Sequence, residues 1–142
     1  MYLRTQQLLQ RKADLFTAGR LGEMAADCAF PHPVQMEDNL IVLRDAAAWA
    51  DALAAHRSAF LARGITSFAI RIGAIELPRG GRFRAWAHWT HRRADGSEAA
   101  GSDVIYYLRA RPDGRPVVEM TDYVRLSMTD TKFYDPEERR RA

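Results

Sequence analysis

Three side chains that can exchange protons fall where local sequence would hold them in place: His32, Tyr106 and Asp122. His32 stands between Pro31 and Pro33. Because proline lacks a backbone donor and restricts the preceding residue, we expect an extended, rigid loop here. An imidazole titrates near neutral pH, so His32 is a candidate general base. The alternative is a histidine whose ring nitrogens bond nearby carbonyl groups.

Tyr106 and Asp122 belong to a predicted three-stranded antiparallel meander. Asp95-Gly96 and Asp113-Gly114 are typical of tight hairpin turns, and the flanking segments are rich in aromatic and branched residues. Hairpin register decides which side chains share a face. The more apolar face, predicted to be the core side, collects Phe83, Ala85, Ala87, Trp89, Ser102, Val104, Tyr106, Leu108, Val118, Met120, Asp122 and Val124. The opposite face collects Arg84, Trp86, His88, Asp103, Tyr107, Glu119, Tyr123 and Arg125.

Asp122 is the odd member of the apolar face, and burial would raise the pKa of its carboxyl group unless a donor stabilised it. It is therefore a candidate acid, or else a structural carboxylate bonded to Tyr106, Trp89 or a loop amide. Tyr106 is a candidate donor to a substrate oxygen, or a core aromatic with its hydroxyl at a wet edge. A bulge near Pro112 would reverse the parity of the last strand and remove Asp122 from this face.

The elements that position these residues are helices first and a curved antiparallel sheet afterwards, which defines an α+β fold. Helical spacing and terminal glycines predict helices over 3–18, 21–28 and 46–63, the last capped by Asp45. A short strand pair is expected at 34–36 and 40–43. Longer strands are expected at 66–77, 82–93, 101–111 and 117–126. Residues 128–142 are polar and charged, so we expect a domain over 1–127 followed by a charged tail.

Composition excludes several classes of function. The 142 residues suit one domain, and 47% hydrophobic with 27% charged residues is ordinary for a globular protein. The first residues lack the apolar stretch of a signal peptide and no run is long enough to cross a bilayer, so a cytoplasmic protein is expected. Cys28 is the single cysteine, and its helical spacing with apolar neighbours indicates a buried side chain.

Charge and motifs predict neither cofactor nor metal. The net charge of +3 comes from scattered arginines, so nucleic-acid binding is not predicted. A weaker option is an acidic partner on the outer sheet face, bound through Arg71, Arg84, Arg109, Arg111 and Arg125. His88 and His91 are three apart in a strand and cannot chelate one ion together. No nucleophile triad, phosphate-binding loop or dinucleotide fingerprint is present.

The order of elements, the Phe30-Pro31-His32-Pro33 segment after two helices, and the final meander with Val118-Glu-Met-Thr-Asp-Tyr together resemble the NTF2-like superfamily. That superfamily includes ketosteroid isomerases, scytalone dehydratases and SnoaL-like polyketide cyclases. The resemblance covers roughly residues 2–127. It implies a cone in which N-terminal helices pack on a strongly bent antiparallel sheet and enclose one pocket, commonly in a homodimer.

The resemblance also bears on the candidate residues. His32-Pro33 matches the Asp-Pro that carries the base of the isomerases, and Tyr106 matches their penultimate-strand acid. Both positions replace one proton-active side chain by another, which points away from a true ketosteroid isomerase. Tyr2 lies too near the end to complete the isomerase oxyanion hole.

We therefore expect a small, mostly apolar organic ligand in the cone, with cofactor-independent chemistry of isomerase, cyclase or dehydratase type as an open question. The alternative is a non-catalytic dimeric binding or accessory domain. The expected pocket lining is Phe16, Trp49, Leu53, His56, Phe68, Trp89, Val104 and Met120. The expected homodimer interface on the outer sheet face is Trp86, His88, Asp103, Ile105, Tyr107 and Tyr123, because these residues would otherwise expose an apolar patch.

Overall fold

The computed structural model describes residues 1–126 of the chain. The predicted tail, 128–142, lies outside them. Within residues 1–126, three α-helices and six strands form one layer of helices on one sheet, so the α+β prediction is confirmed. No helix in this part of the chain is both long and apolar enough to span a bilayer.

The helices follow the local signals closely. Helix α1 covers Tyr2–Ala18 and ends at Gly19, whose φ of 76° is left-handed and therefore suits glycine. Helix α2 covers Leu21–Met24 and continues as a short 3-10 turn, Ala25–Asp27. Helix α3 covers Ala46–Ala62. The Asp45 carboxylate accepts the backbone N–H of Ala48 at 2.8 Å, which caps α3 as predicted.

The six strands are β1 (His32–Met36), β2 (Asn39–Leu43), β3 (Ile65–Ile75), β4 (Arg82–Arg93), β5 (Glu98–Ala110) and β6 (Pro116–Arg125). Their order in the sheet is β2-β1-β6-β5-β4-β3. All neighbours are antiparallel except β1 and β6, which are parallel, so the purely antiparallel prediction is wrong at this one contact. The segment around His32, expected as a loop, begins the strand that makes this contact.

The inner face of the sheet packs against the helices. On β4 and β5 buried and half-buried residues alternate, which places Trp89 and Tyr106 inside and Trp86 and Tyr107 outside, as predicted. The Arg57 guanidinium on α3 donates to the carbonyl oxygen of Phe16 at 2.8 Å, holding the end of α1 in place. The two long helices are thereby fixed around the inner face.

A bulge in β6 reverses the parity expected for its second half. Tyr107 pairs with Met120 whereas Leu108 pairs with Val118, so Glu119 is an extra residue on β6. Beyond the bulge Thr121 and Tyr123 share the inner face with Tyr106. The predictions that put Met120, Asp122 and Val124 inside, and Tyr123 outside, are therefore wrong.

A second bulge lies between β4 and β5. Trp89 pairs with Ser102, but His91 pairs with Ala99. Gly101 sits in this irregularity, and a Cβ added there would overlap the Trp89 carbonyl oxygen and the His88 ring. Glycine is therefore required by close approach, and the strand continues with His91 buried on the inner side.

Candidate functional site

The helices and the inner face of the sheet enclose a pocket with about 350 Å³ of empty space. Its residues come from α1, α2, α3, β4, β5 and β6, and they are mostly aromatic or aliphatic. The lining consists of Lys12, Phe16, Met24, Leu53, His56, Phe60, Trp89, His91, Ser102 and Tyr123. The space open to the centre of a water molecule is only about 20 Å³, so the pocket is narrow.

Lys12 is the charged group of this pocket. It lies on the buried stripe of α1 and is 7% exposed. Its ammonium nitrogen is 4.7 Å from the ring centre of Trp49 and 5.7 Å from that of Tyr106, so both rings offer their negative faces. Burial lowers the pKa of Lys12, whereas Cys28 and Asp27 raise it.

Two histidines lie among the aromatic rings. The His56 ring is 4.6 Å from that of Phe60 and 6.2 Å from that of Phe16. The His91 ring is 4.5 Å from the Phe60 ring on its other side. Burial lowers the pKa of His56 to about 3, with a further contribution from His91, and burial lowers the pKa of His91 to about 4. Both rings are neutral at neutral pH.

His32 and Tyr106 are buried behind the pocket wall rather than open to it. Nδ1 of His32 is 3.3 Å from the Ala29 carbonyl oxygen and Nε2 is 2.9 Å from the Thr121 hydroxyl. A carbonyl only accepts, so Nδ1 carries the proton and Nε2 accepts from Thr121. Burial, aided by Lys12, lowers the pKa of His32 to about 4. Neither nitrogen faces the pocket.

Tyr106 has no exposed surface, and its hydroxyl oxygen accepts the indole N–H of Trp89 at 2.8 Å. Burial raises its pKa well above the ordinary value. Tyr106 pairs with Thr121 in the sheet, so His32 and Tyr106 meet at the same threonine. The third member of the predicted set, Asp122, pairs with Ile105 on the opposite face, so the three do not converge.

The predicted pocket lining divides into three groups. Phe16, Leu53, His56 and Trp89 line the pocket. Trp49, Phe68 and Val104 are buried in the surrounding core. Met120 pairs with Tyr107 on the outer side and does not line it, because of the β6 bulge.

Sequence reasoning missed several lining residues, notably Lys12, Phe60, His91 and Tyr123. Lys12 could have been recognised from the sequence, because it is a lysine on a helix stripe whose other buried residues are leucine, alanine, phenylalanine and one threonine. His91 lies two residues after Trp89 on β4, so strand alternation places both side chains on the same face. Tyr123 had no such signal because the bulge decides its face.

The outer face carries paired charges. The Asp103 carboxylate is 2.7 Å from Nδ1 of His88 and accepts from the Arg125 guanidinium at 2.9 Å. These two donors lower the pKa of Asp103. His88 and Asp103 were both predicted on the outer face, and they pair with each other across the hairpin. Trp86, Ile105 and Tyr107 lie on the same face, half-buried, whereas Tyr123 has turned inside.

Residues 1–126 contain no group of three or more His, Cys, Asp or Glu side chains able to hold a metal ion. What the pocket offers is an apolar volume, one ammonium, two neutral imidazoles and the Tyr123 ring. These groups can orient and hydrogen-bond a small molecule.

No family model matches the sequence, and no curated protein matches it. Solved structures do. Aln2 from a Streptomyces species is 17% identical with a TM-score of 0.68, covering 87% of this chain and 89% of that one. An NTF2-like protein with a cystatin-like fold from Novosphingobium aromaticivorans is 16% identical with a TM-score of 0.67, covering 91% and 84%. A protein from Catenulispora acidiphila, solved in complex with S-DNPA, is 16% identical with a TM-score of 0.62, covering 86% and 92%.

These structures share one architecture with this chain over nearly its whole described length, at low sequence identity. The predicted fold is therefore confirmed: the chain has the NTF2-like cone fold. Likeness at this level of identity concerns the fold and does not select an activity.

Proposed function

We propose that this NTF2-like chain binds a small, mostly apolar organic molecule in its cone. The observation that carries the proposal is the pocket itself, in which Phe16, Phe60, Trp89 and other apolar side chains surround a small set of polar groups. Ligand pockets in proteins are commonly lined by apolar and aromatic side chains with a small number of polar groups. The Catenulispora protein in complex with S-DNPA has a related fold, which supports the proposal.

Acid–base chemistry of isomerase, cyclase or dehydratase type is the finer version of this proposal, and the pocket histidines are its candidates. The pKa of His56 is about 3 and that of His91 about 4. A good general base at neutral pH has a pKa near 7, so these imidazoles are weak bases. The pKa values favour binding and orientation of a ligand over rapid proton abstraction.

The test measures binding of naphthalene-2-carboxylate and naphthalene-2-methanol to the wild type and to a variant in which a larger side chain fills the pocket. Leu53 lines the pocket, so Leu53→Trp should abolish binding of both probes. Leu61 lies on the same helix and is 39% exposed, so Leu61→Trp is the matched control and should leave binding unchanged. Circular dichroism checks that both variants fold. Binding that survives Leu53→Trp, or no binding by the wild type, contradicts the proposal.

A second candidate is a dimeric accessory domain that associates through the outer sheet face. A groove there, with about 680 Å³ of empty space, is lined in part by Trp86, Ile105 and Val124, and Val124 is 57% exposed. Apolar surface of this kind favours a second copy of the chain. Sedimentation should give a dimer for the wild type and a monomer for Trp86→Arg. A wild-type monomer at micromolar concentration contradicts this candidate.

The weaker option of an acidic partner on this face loses support from the ion pairs. Arg84 donates to Glu76, Arg109 to Glu119 and Arg125 to Asp103. Guanidinium groups that already pair with carboxylates leave less positive charge for a partner.

A further inference from the structure

The Lys12 side chain is a buried cation without a hydrogen-bond acceptor among residues 1–126. A buried ammonium has lost its hydration, and proteins normally compensate for that loss with hydrogen bonds and a counter-charge. Lys12 is only 7% exposed, and its side chain lines the pocket. Its ammonium forms no hydrogen bond with any residue among 1–126, and its contacts are the aromatic faces of Trp49 and Tyr106.

The neighbouring acids do not complete its environment. The Asp27 carboxylate accepts from the Arg11 guanidinium at 3.3 Å and is partly exposed. Cys28 is buried, and burial raises the pKa of its thiol, so it stays neutral at neutral pH. Both groups influence Lys12 only through space. The pocket therefore holds a donor group whose acceptor is not supplied by residues 1–126.

The other wall residues within 1–126 add no compensating charge. His56 and His91 are neutral at pH 7 because their pKa values are about 3 and 4, and burial raises the pKa of Tyr123, which keeps its phenol neutral. Phe16, Phe60 and Trp89 supply apolar ring surface. A ligand that satisfied this pocket would be apolar over most of its area and carry a single negative group.

We propose that the cone takes an aromatic monocarboxylate and that the Lys12 ammonium binds its carboxylate oxygens. This rests on the function proposed above and narrows it to one class of ligand. The charge-assisted hydrogen bond supplies the missing acceptor, and the rings of the ligand occupy the apolar wall. A neutral molecule of the same shape would leave the ammonium without an anionic partner.

The experiment compares the same pair of probes, naphthalene-2-carboxylate and naphthalene-2-methanol, by calorimetry at pH 7. Because a hydrogen bond to a charged group is strong, the wild type should bind the carboxylate about tenfold or more tightly than the alcohol. Lys12→Met should remove that preference, so that the two probes bind with similar affinity. Arg4→Met is the matched control, because Arg4 is an exposed cation of the same helix. It should leave the preference intact.

A second measurement observes the lysine side chains of the wild type directly. The chain contains two lysines, Lys12 and Lys132, so a sample labelled with 13C-lysine gives two side-chain signals. One signal should shift on addition of the carboxylate and stay in place on addition of the alcohol. Loss of that signal in Lys12→Met assigns it to Lys12.

The outcomes separate this inference from the function on which it rests. Equal affinity for both probes in the wild type, with no selective lysine shift, overturns the role of Lys12 and leaves ligand binding intact. Absence of binding by both probes overturns both proposals. A preference for the carboxylate that persists in Lys12→Met also overturns the role of Lys12.

Discussion

The two faces of the sheet contain similar polar groups but stabilise them by different means. On the outer face Asp103 is paired with His88 and Arg125, in contact with solvent. On the inner face Lys12 and His32 are buried, and loss of water lowers the pKa of each. Charged side chains on the outer face are paired with side chains of opposite charge. Titratable side chains on the inner face are either neutral or, in the case of Lys12, proposed to be paired with a ligand. The inner face is therefore where chemistry can be selective, and the outer face where charge is mainly structural.

The largest expected effect is acid sensitivity from the inner histidines. The pKa values of His32 and His91 are about 4 and that of His56 is about 3 in the folded chain, against about 6.5 when unfolded. As pH falls through 6.5, the histidines of the unfolded chain bind protons that those of the folded chain do not bind, so the free energy of unfolding falls. At pH 5 each of the three histidines should cost about 2 kcal/mol relative to pH 8, about 6 kcal/mol together.

Urea unfolding at pH 8 and pH 5 measures this loss. His56→Gln should reduce the loss by about one third, whatever its effect on stability at pH 8. The outer carboxylate Asp103 has a lowered pKa, so its contribution is lost only below this window. Equal stability at pH 8 and pH 5 would break the distinction between the two faces.

The next effect compares two neighbouring tyrosines on β5. Tyr106→Phe removes the acceptor of the buried Trp89 indole N–H, which should cost about 1–3 kcal/mol. Tyr107→Phe, on the outer face, should change stability by about 0.5 kcal/mol or less. Denaturant midpoints of the two variants give the comparison. Equal losses would indicate that burial does not separate the two hydroxyl groups.

A smaller effect is expected from the outer ion pairs. Asp103→Asn removes the partner of both His88 and Arg125, but all three side chains are partly exposed. Exposed pairs of this kind contribute about 0–1 kcal/mol, and salt screens them. The difference in unfolding free energy from wild type should shrink further in about 1 M NaCl. A loss that is larger and independent of salt would assign the cluster a structural role beyond surface pairing.

The smallest effect is expected at Asp122. Its carboxylate lies on the outer face opposite Ile105, so Asp122→Asn should change stability by about 0.5 kcal/mol or less. Affinity for the naphthalene probes should also stay the same. A clear loss of either would place Asp122 inside and contradict the β6 bulge.

Local sequence signals accounted for the helices and for the β4–β5 hairpin. The Asp95-Gly96 turn and the alternation along β4 and β5 predict which residues face inward, and Trp89 and Tyr106 do so. The N-cap at Asp45 and the end of α1 at Gly19 were equally readable. Each of these features depends on residues close together in the chain, so the pattern suffices.

The candidate site could be predicted only in part. Tyr106 was correctly placed on the inner face, whereas His32 was expected in a loop. The structure shows the polar atoms of both engaged with Thr121, Ala29 and Trp89. Strand alternation continued through Val118 and Met120 gave the wrong face for Asp122. The alternation of apolar residues along β6 is compatible with a regular strand and with a strand that has Glu119 as an extra residue, so the sequence pattern does not reveal the bulge.

The sequence by itself determined the α+β class, the element order and the residues of the inner face as far as Val118, because these depend on short-range periodicity, caps and turns. Only the tertiary structure decided that β1 pairs with β6 in parallel, that the β6 bulge turns Tyr123 inward, and that Lys12 meets Trp49 and Tyr106. These contacts join residues far apart in sequence. Their geometry follows from packing of the whole chain, which no local pattern encodes.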